Sequence, residues 1–410
     1  MGEKLLAPDK KGEASIILGE LLKSTASNFP EPQFRVRIEK GKSIINPHPF
    51  EIYTNADGGG TKPEIAERLF DVSKDPEEFE SVVADVCAMI DGDSARDGSF
   101  LLGITDILDV TTANKDIVKA VAKGLGDQAR IGQFAILNGE TAELGYRAPG
   151  YGGFGINLNA VGFNLYVPEK EITGERLAPG QIVVAFREDS IRSNGLSAAR
   201  WLLQYYYAVS IEGQRERQNA IKDLVEKAGM ITELVRPMMH KLLGDDFAHG
   251  ECLPWHEKYP EIAKQLKLPS RLYGPIMYEA QGGVFGERKV DIVAAAHITG
   301  GGIPLKGIRM VKGRNLGLAI DHVFPDPEAI TSIIELAWSI HPDKDIFIDN
   351  ITACEEWNRG IGFMVVVPDE EEAKKLIDIA GQHKCEAAIA GEVIDEPAVK
   401  FHGHTWRYEH

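Results

Sequence analysis

The sequence predicts an α+β protein built as two α/β halves. Strand-like and helical stretches follow one another in mixed order, with few regular βαβ repeats. The 410 residues suit two or three units, at roughly 150 residues each. A charged, turn-rich segment from Pro168 to Gly180 looks like the junction between them. The expected layout is a helical N-terminal extension over 1–45 and an α/β domain over 46–168. A C-terminal α/β domain over 169–410 follows, with a helical insertion near 211–265.

Each element has its own pattern. The first thirty residues read as a helix with Ile16, Ile17, Leu18, Leu21 and Leu22 on one side and Pro30 at its end. Phe34 to Ile38 reads as a strand, and Phe50 to Thr54 as another that runs into Asp57-Gly-Gly-Gly-Thr-Lys62. Phe79, Val82, Val83, Val86, Met89 and Ile90 have helical spacing, which puts Asp91-Gly-Asp93 at the helix end. Phe100 to Asp106 is strand-like, and Ile117 to Ile131 helical. Gln133 to Leu137 is a strand opening onto Asn138-Gly-Glu-Thr-Ala-Glu143. A glycine-rich loop over Gly145 to Gly155 precedes a strand at Ala160 to Val167.

The second half starts with a strand at Ile182 to Phe186 and a helix after Asn194-Gly195. Residues 211–275 are polar and mostly helical by pattern. Val290 to Ala296 is a buried strand running into His297-Ile-Thr-Gly-Gly-Gly302. A strand at Ile361 to Val367, a helix from Glu370 to Gln382 and a strand at Ala387 to Ile394 close the fold. The tail from Phe401 to His410 reads as a loosely ordered end.

Composition narrows the function. There are 45 Lys and Arg against 62 Asp and Glu, a net charge of −17, which disfavours nucleic acid and anionic membranes as partners. An anionic small substrate stays open, because a divalent ion or a few local cations reverse the field within one cleft. No apolar run reaches the roughly 18 residues that span a bilayer. Cys87, Cys252, Cys354 and Cys385 are scattered without a C-x-x-C pair, so reduced thiols in a cytoplasmic protein are expected.

Several strings are suited to phosphate and metal chemistry. In Asp57-Gly58-Gly59-Gly60-Thr61-Lys62 the glycines let backbone N–H groups approach a phosphate, Asp57 suits Mg²⁺ and Lys62 suits a phosphate charge. A tight turn with a solvated lysine reads equally from it, and it is not a P-loop. Asp91 and Asp93, with Asp85 and Asp97 nearby, offer hard oxygen ligands or a solvated helix end. Gly139-Glu140-Thr-Ala-Glu143 adds two carboxylates near a strand end. His297-Ile-Thr299-Gly300-Gly301-Gly302 can wrap a phosphate or start a helix against one, with His297 either catalytic or a structural hydrogen-bonder. Gly150-Tyr-Gly-Gly-Phe-Gly155 matches G-x-G-x-x-G but lacks the preceding strand a dinucleotide site needs.

Singly these strings are weak; their order, together with Ser193-Asn194-Gly195, resembles the aminoimidazole ribonucleotide synthetase (phosphoribosylformylglycinamidine cyclo-ligase) family. The resemblance runs from about residue 50 to 395 and is poor over 211–265. It implies an N-terminal half that shares strands in a homodimer barrel, and an ATP- and Mg²⁺-dependent enzyme of purine biosynthesis acting on a small phosphorylated substrate. The implied reaction converts formylglycinamidine ribonucleotide to aminoimidazole ribonucleotide. The γ-phosphoryl of ATP activates an amide oxygen, a neighbouring nitrogen attacks, and phosphate leaves.

Carried over residue by residue, Asp57, Asp93 and Glu140 fall in metal positions. Gly58, Gly59, Gly60, Thr61, Lys62, Gly139, Glu140, Thr299, Gly300 and Gly301 fall in nucleotide and phosphate positions, alongside Asp57. Lys62, Asn194 and His297 fall in catalytic ones. The chain departs from the family at Gly92 for Asn, Asn138 for Gly, Gly145 for Pro, Asn159 for Asp and Arg192 for His, and Gln33 to Pro49 lacks the family's glycine-rich segment. Arg192 removes one proton-transfer group. Two alternatives therefore stand beside the cyclo-ligase: a paralogue activating a different amide or acid, and a non-catalytic nucleotide-binding relative.

Overall fold

Residues 35 to 166 build one sheet, and residues 182 to 407, joined by Glu3–Leu5, build a second. The structure is a computed structural model that describes residues 3–5, 35–39, 42–46, 50–209, 254–340 and 350–408. The first part of the chain runs β1 (Glu3–Leu5), β2 (Arg35–Glu39), β3 (Lys42–Asn46), β4 (Glu51–Gly58), α1 (Lys62–Ser73), α2 (Glu80–Arg96), β5 (Phe100–Val110), α3 (Lys115–Gly132), β6 (Ala135–Glu143) and β7 (Ile156–Tyr166). Then come β8 (Ile182–Arg187), α4 (Leu196–Val209), α5 (Trp255–Lys258), α6 (Pro260–Leu266), α7 (Gly274–Ala280), β9 (Ala294–His297), α8 (Gly302–Val311) and β10 (Gly317–Ile320). The chain closes with α9 (Glu328–Ile340), α10 (Asn350–Glu356), β11 (Ile361–Val367), α11 (Glu370–Gln382), β12 (Ala387–Ile394), β13 (Ala398–Phe401) and β14 (His404–Arg407). The architecture is α+β, as the mixed element order predicts.

The first sheet has the order β2-β3-β4-β7-β5-β6 among the described residues. Its one parallel pair, β5 with β6, is joined by α3, because parallel neighbours need a crossover. α3 buries Ile117, Ala120, Val121, Gly124 and Leu125, spaced as one helical face, and the Asn114 side chain caps its first turn. With α2 it covers one side of the sheet. On the opposite side Ile107 is exposed, and Leu102, Ile136 and Leu137 of β5 and β6 are exposed as well.

The second sheet has the order β1-β14-β13-β10-β12-β8-β11-β9, so β9 is an edge strand. All seven residues of β11 are buried. Met364 and Val366 pack with Ile303 and Val311 of α8, while Phe363, Val365 and Val367 pack with α7 and α11. An apolar run on every position is what a strand covered on both faces requires.

Several expectations are corrected. Glu3–Leu5, within the expected N-terminal helix, is a strand parallel to β14; Ile16 to Pro30 lie outside the described residues. β2 and β3 belong to the first sheet, so the described parts of 1–45 are strands. α2 does not stop at Ile90. Its Asp91 accepts hydrogen bonds from the Gly274 N–H (2.6 Å) and the Tyr278 hydroxyl (3.2 Å), which carries the helix through Asp91-Gly-Asp93 to Arg96. β6 likewise runs through Gly139-Glu140 to Glu143, and regular β9 pairing is confined to Ala294–His297. The tail is paired, as the β13–β14 hairpin with Trp406 buried. Of the expected insertion, residues 211–253 lie outside the described residues, and Trp255–Lys258 and Pro260–Leu266 are helical. No described helix is long and apolar enough to cross a membrane.

Candidate functional site

Three helices each start just after a left-handed glycine: α1 after Gly60 (φ 57°), α4 after Gly195 (φ 87°) and α8 after Gly301 (φ 88°). Only glycine takes that backbone region without strain, so Gly60, Gly195 and Gly301 are explained by the turns they make. The three loops meet. Thr61 Oγ1 lies 2.8 Å from Ser197 Oγ, in the first turn of α4. A Cβ on Gly60 would lie 3.6 Å from the Ser193 carbonyl, and one on Gly300 would lie 3.5 Å from Asn194 Nδ2. Three helix N-termini thus face one region with the positive ends of their dipoles, a setting that favours phosphate. Ser193 Oγ and Asn194 Oδ1 are buried there with no hydrogen-bond partner among the described residues. Such atoms need a partner, which water or a bound ligand supplies.

Beneath the loops a buried polar chain joins the two halves. Lys62 Nζ lies 3.2 Å from Asp85 Oδ2 and donates to the carbonyls of Leu266 (3.0 Å) and Leu268 (2.6 Å). Ser270 donates to Asp85, and its hydroxyl lies 3.4 Å from that of Ser190, which donates to Glu188 (3.1 Å). Glu188 pairs with Arg192 NH1 (2.5 Å), Arg192 NH2 donates to His297 Nε2 (2.6 Å), and His297 Nδ1 meets Asp93 Oδ1 (3.0 Å). Arginine only donates, so Nε2 is the acceptor and the neutral ring carries its proton on Nδ1, given to Asp93. Burial first, then the Arg192 charge, push the His297 pKa down to about 3 against the pull of Asp93. Burial raises the pKa of Asp93, but Arg96 and the His297 hydrogen bond outweigh it and hold the carboxyl well below its ordinary value.

These contacts alter the expected roles of two residues. Lys62 is fully buried, ion-paired with Asp85 and donating to two carbonyls, so it holds the halves together and does not reach a phosphate. Burial lowers its pKa while Asp85 opposes that shift. His297 is buried with both nitrogens occupied, which makes it a fixed hydrogen-bonder and not a proton carrier.

The expected metal triad is not assembled within the chain. Asp57 stands at the end of β4, exposed, with its carboxylate accepting from the Gly58 N–H (2.8 Å). α2 passes β4 in the opposite direction: the Ile90 carbonyl meets Asn55, and Ser99 just past the helix meets Tyr53. Asp93 therefore lies toward the beginning of β4, away from Asp57. Glu140 sits exposed on β6, three strands from β4, or about 14 Å by strand spacing. Its row pairs with Ile107, whereas that of Asp57 runs through Ala160 and Asp106 to Gly139, so the two side chains take opposite faces. No group of three metal-ligating side chains occurs among the described residues. The donor set does not fit Mg²⁺ within one chain.

The same register shows a residue that the motifs miss. Asp106 shares the row and face of Asp57, with the small Ala160 between them, and a Cβ on Gly139 would lie 2.5 Å from its Oδ1. Burial raises the pKa of Asp106. Its signal was a carboxylate between Ile104 and Leu108, at a position whose i±2 neighbours are apolar.

Comparisons with known proteins complete the picture. Residues 256–404 match the family described as AIR synthase related protein, C-terminal domain. A phosphoribosylformylglycinamidine cyclo-ligase from Methanocaldococcus jannaschii is 26% identical over 348 residues, 84% of this chain and 79% of that protein. The protein of the same name from Pyrococcus horikoshii is 27% identical over 353 residues, 85% of this chain and 80% of that one. The solved structure of thiamine-monophosphate kinase from Stenotrophomonas maltophilia K279a is similar with a TM-score of 0.50 at 12% identity, covering 95% of this chain and 96% of that chain. That likeness shows the fold.

Proposed function

Because this chain belongs to the AIR synthase-related family, the aminoimidazole ribonucleotide synthetases and their close relatives, we propose that it is a cytoplasmic ATP-dependent cyclo-ligase of purine biosynthesis. Its substrate in this reading is formylglycinamidine ribonucleotide and its product aminoimidazole ribonucleotide. The observation that carries the reading is the meeting of three glycine-led helix N-termini around Ser193 Oγ and Asn194 Oδ1, which have no hydrogen-bond partner among the described residues. The N–H groups at Gly60 and Thr61 and at Thr299 to Gly301 receive phosphate oxygens. Asn194 Oδ1 accepts an N–H of the substrate and holds its amide in line with the γ-phosphoryl group. Phosphoryl transfer to the amide oxygen makes it a leaving group. A neighbouring nitrogen attacks the same carbon, the ring closes and phosphate departs. Positioning and charge neutralisation carry such a reaction, so the protein needs no covalent intermediate. No step is assigned to Mg²⁺, since Asp57, Asp93 and Glu140 stand apart within the chain.

The working unit is proposed to be a homodimer. A second copy laid on the open face of the first sheet would cover Ile107 and give Glu140 neighbours from another chain.

Phosphate release from ATP tests the reading. Release that requires formylglycinamidine ribonucleotide, and that falls about a hundredfold or more in Asn194→Ala with melting temperature retained, is the expected result. A second reading, a paralogue activating a different amide or acid, is favoured by Arg192, which stands where the family has a histidine and ties up His297. ATP turnover that ignores the ribonucleotide but responds to another amide or acid supports that reading. Nucleotide binding without any turnover supports the non-catalytic relative.

A further inference from the structure

One segment, residues 354–360, supports two of the three glycine turns from behind. β8 ends opposite the start of β11, with Arg187 paired to Ile361, and β9 ends with His297 opposite Phe363. The residues that lead into β11 therefore reach both loops that follow those strands. Trp357 is buried and donates from Nε1 to the Gly195 carbonyl (3.1 Å). A Cβ on Gly195 would lie 2.4 Å from Trp357 Cδ1, and one on Gly302 would lie 2.0 Å from the Cys354 carbonyl. Asn358 is buried too, donating from Nδ2 to the Ser190 carbonyl (2.7 Å) and accepting on Oδ1 from the Gly360 N–H (3.0 Å). The third turn is set differently: the groups nearest a Cβ on Gly60 belong to Ser193.

The segment is itself locked at Arg359. That residue is buried in the left-handed backbone region (φ 48°), and Gly360 (φ 80°) follows it into β11. A side chain as large as arginine is strained there and needs tertiary contacts to hold it. Two loops that carry no site residue supply them. The guanidinium forms a forked pair with Asp326, from Nε to Oδ1 (2.7 Å) and from NH2 to Oδ2 (2.8 Å), which fixes its orientation as well as its place. NH1 donates to Cys354 Sγ (3.6 Å), tying the fork back to α10. NH2 also meets His402 Nε2 (3.4 Å) in the β13–β14 turn; arginine only donates, so the ring is neutral and accepts on Nε2. The Arg359 carbonyl accepts from His322 Nε2 (3.2 Å), which lies 3.3 Å from Asp326 Oδ1.

We propose that residues 354–360 are a brace that sets Asn194 and Thr299–Gly301 relative to each other, and that Arg359, latched by Asp326, is its positioning residue. Arg359 touches no ligand in this scheme. It acts through Trp357 and Asn358 on the loops of the second half, while the turn at Gly60 is set independently. The effect on turnover rests on the cyclo-ligase reading, in which Asn194 aligns the amide; the effect on the loops does not.

Hydrogen exchange of the full chain without ligand, read by mass spectrometry on peptides spanning 190–199, 299–305 and 59–66, tests the brace. Arg359→Met with Asp326→Asn removes both charges, so neither is left buried alone. This pair is expected to speed exchange about tenfold or more at 190–199 and 299–305, with 59–66 unchanged. Arg359→Lys alone keeps part of the protection, because the charge stays while the fork is lost. Trp357→Phe keeps a ring but not the N–H donor, and speeds exchange at 190–199 alone; it carries the test should the paired variant not fold. The brace is overturned if the paired variant exchanges within about twofold of wild type at both loops, if all three peptides speed up together, or if Trp357→Phe leaves 190–199 at the wild-type rate. In turnover, the paired variant is expected to lower kcat for ribonucleotide-dependent phosphate release about tenfold or more, with KM for ATP within about threefold of wild type. An unchanged kcat with loosened loops overturns the positioning role. A wild type without such release defeats the cyclo-ligase reading, and the exchange rates still decide the brace.

Discussion

Arg192 and Gly92, two separate departures from the family in sequence, are one device in the structure. The Arg192 guanidinium fixes the imidazole of His297 against α2, where a Cβ on Gly92 would overlap the ring. A side chain at 92 and the present ring position are therefore mutually exclusive. Gly92→Asn alone should cost about 1–3 kcal/mol or more by overpacking. Arg192→Ala should cost about 3–5 kcal/mol, because it leaves the buried Glu188 carboxylate without its counter-charge. Urea unfolding measures both, and an Arg192→Ala loss below about 1 kcal/mol would contradict the pairing. Gly92→Asn with Arg192→His should be less destabilised than the two single changes added together.

At the scale of elements, one carboxylate holds a glycine loop to a helix. Glu67 of α1 accepts the N–H groups of Tyr151 (2.9 Å) and Ile156 (2.8 Å), and burial, moderated by those two bonds, pushes its pKa up to about 7. The folded state then binds more protons than the unfolded one between the ordinary carboxyl range and about pH 7. Its contribution is fully present at low pH and lost as pH rises through 7. Relative to Glu67→Gln, wild type should lose up to about 3 kcal/mol between pH 4.5 and 8 in urea unfolding; parallel pH curves would refute this. Where local rules suffice, the elements are legible in sequence: α3 and α11 show their spacing and caps, and β11 and β12 show their bounds. Legibility fails where a buried polar group finds its partner far away. Asp91 carries α2 past Ile90 only because Gly274 and Tyr278 meet it. The site divides in the same way. Glycine strings reveal the turns that start α1 and α8, but the inward course of Lys62 depends on carbonyls about two hundred residues later. The separation of Asp57 from Glu140 depends on strand order, which no single motif encodes.

For the molecule as a whole, the two sheets are dressed differently. In the second, β11 is covered on both faces, while the first leaves Ile107, 46% exposed, and Leu137, 52% exposed, beside an edge strand. Open apolar sheet surface of this kind is usually covered by another chain. Light scattering after gel filtration should give a dimer mass for wild type and a monomer mass for Ile107→Glu, with unchanged circular dichroism; a monomeric wild type would refute the homodimer. The Lys62 ammonium also constrains how the gene can be cut. Fission at Val167 would leave the amino-terminal fragment with a charge whose carbonyl acceptors, at Leu266 and Leu268, are encoded on the other piece. A split or circularly permuted version must therefore keep 260–270 on the same polypeptide as α1, or rely on the fragments associating while they fold.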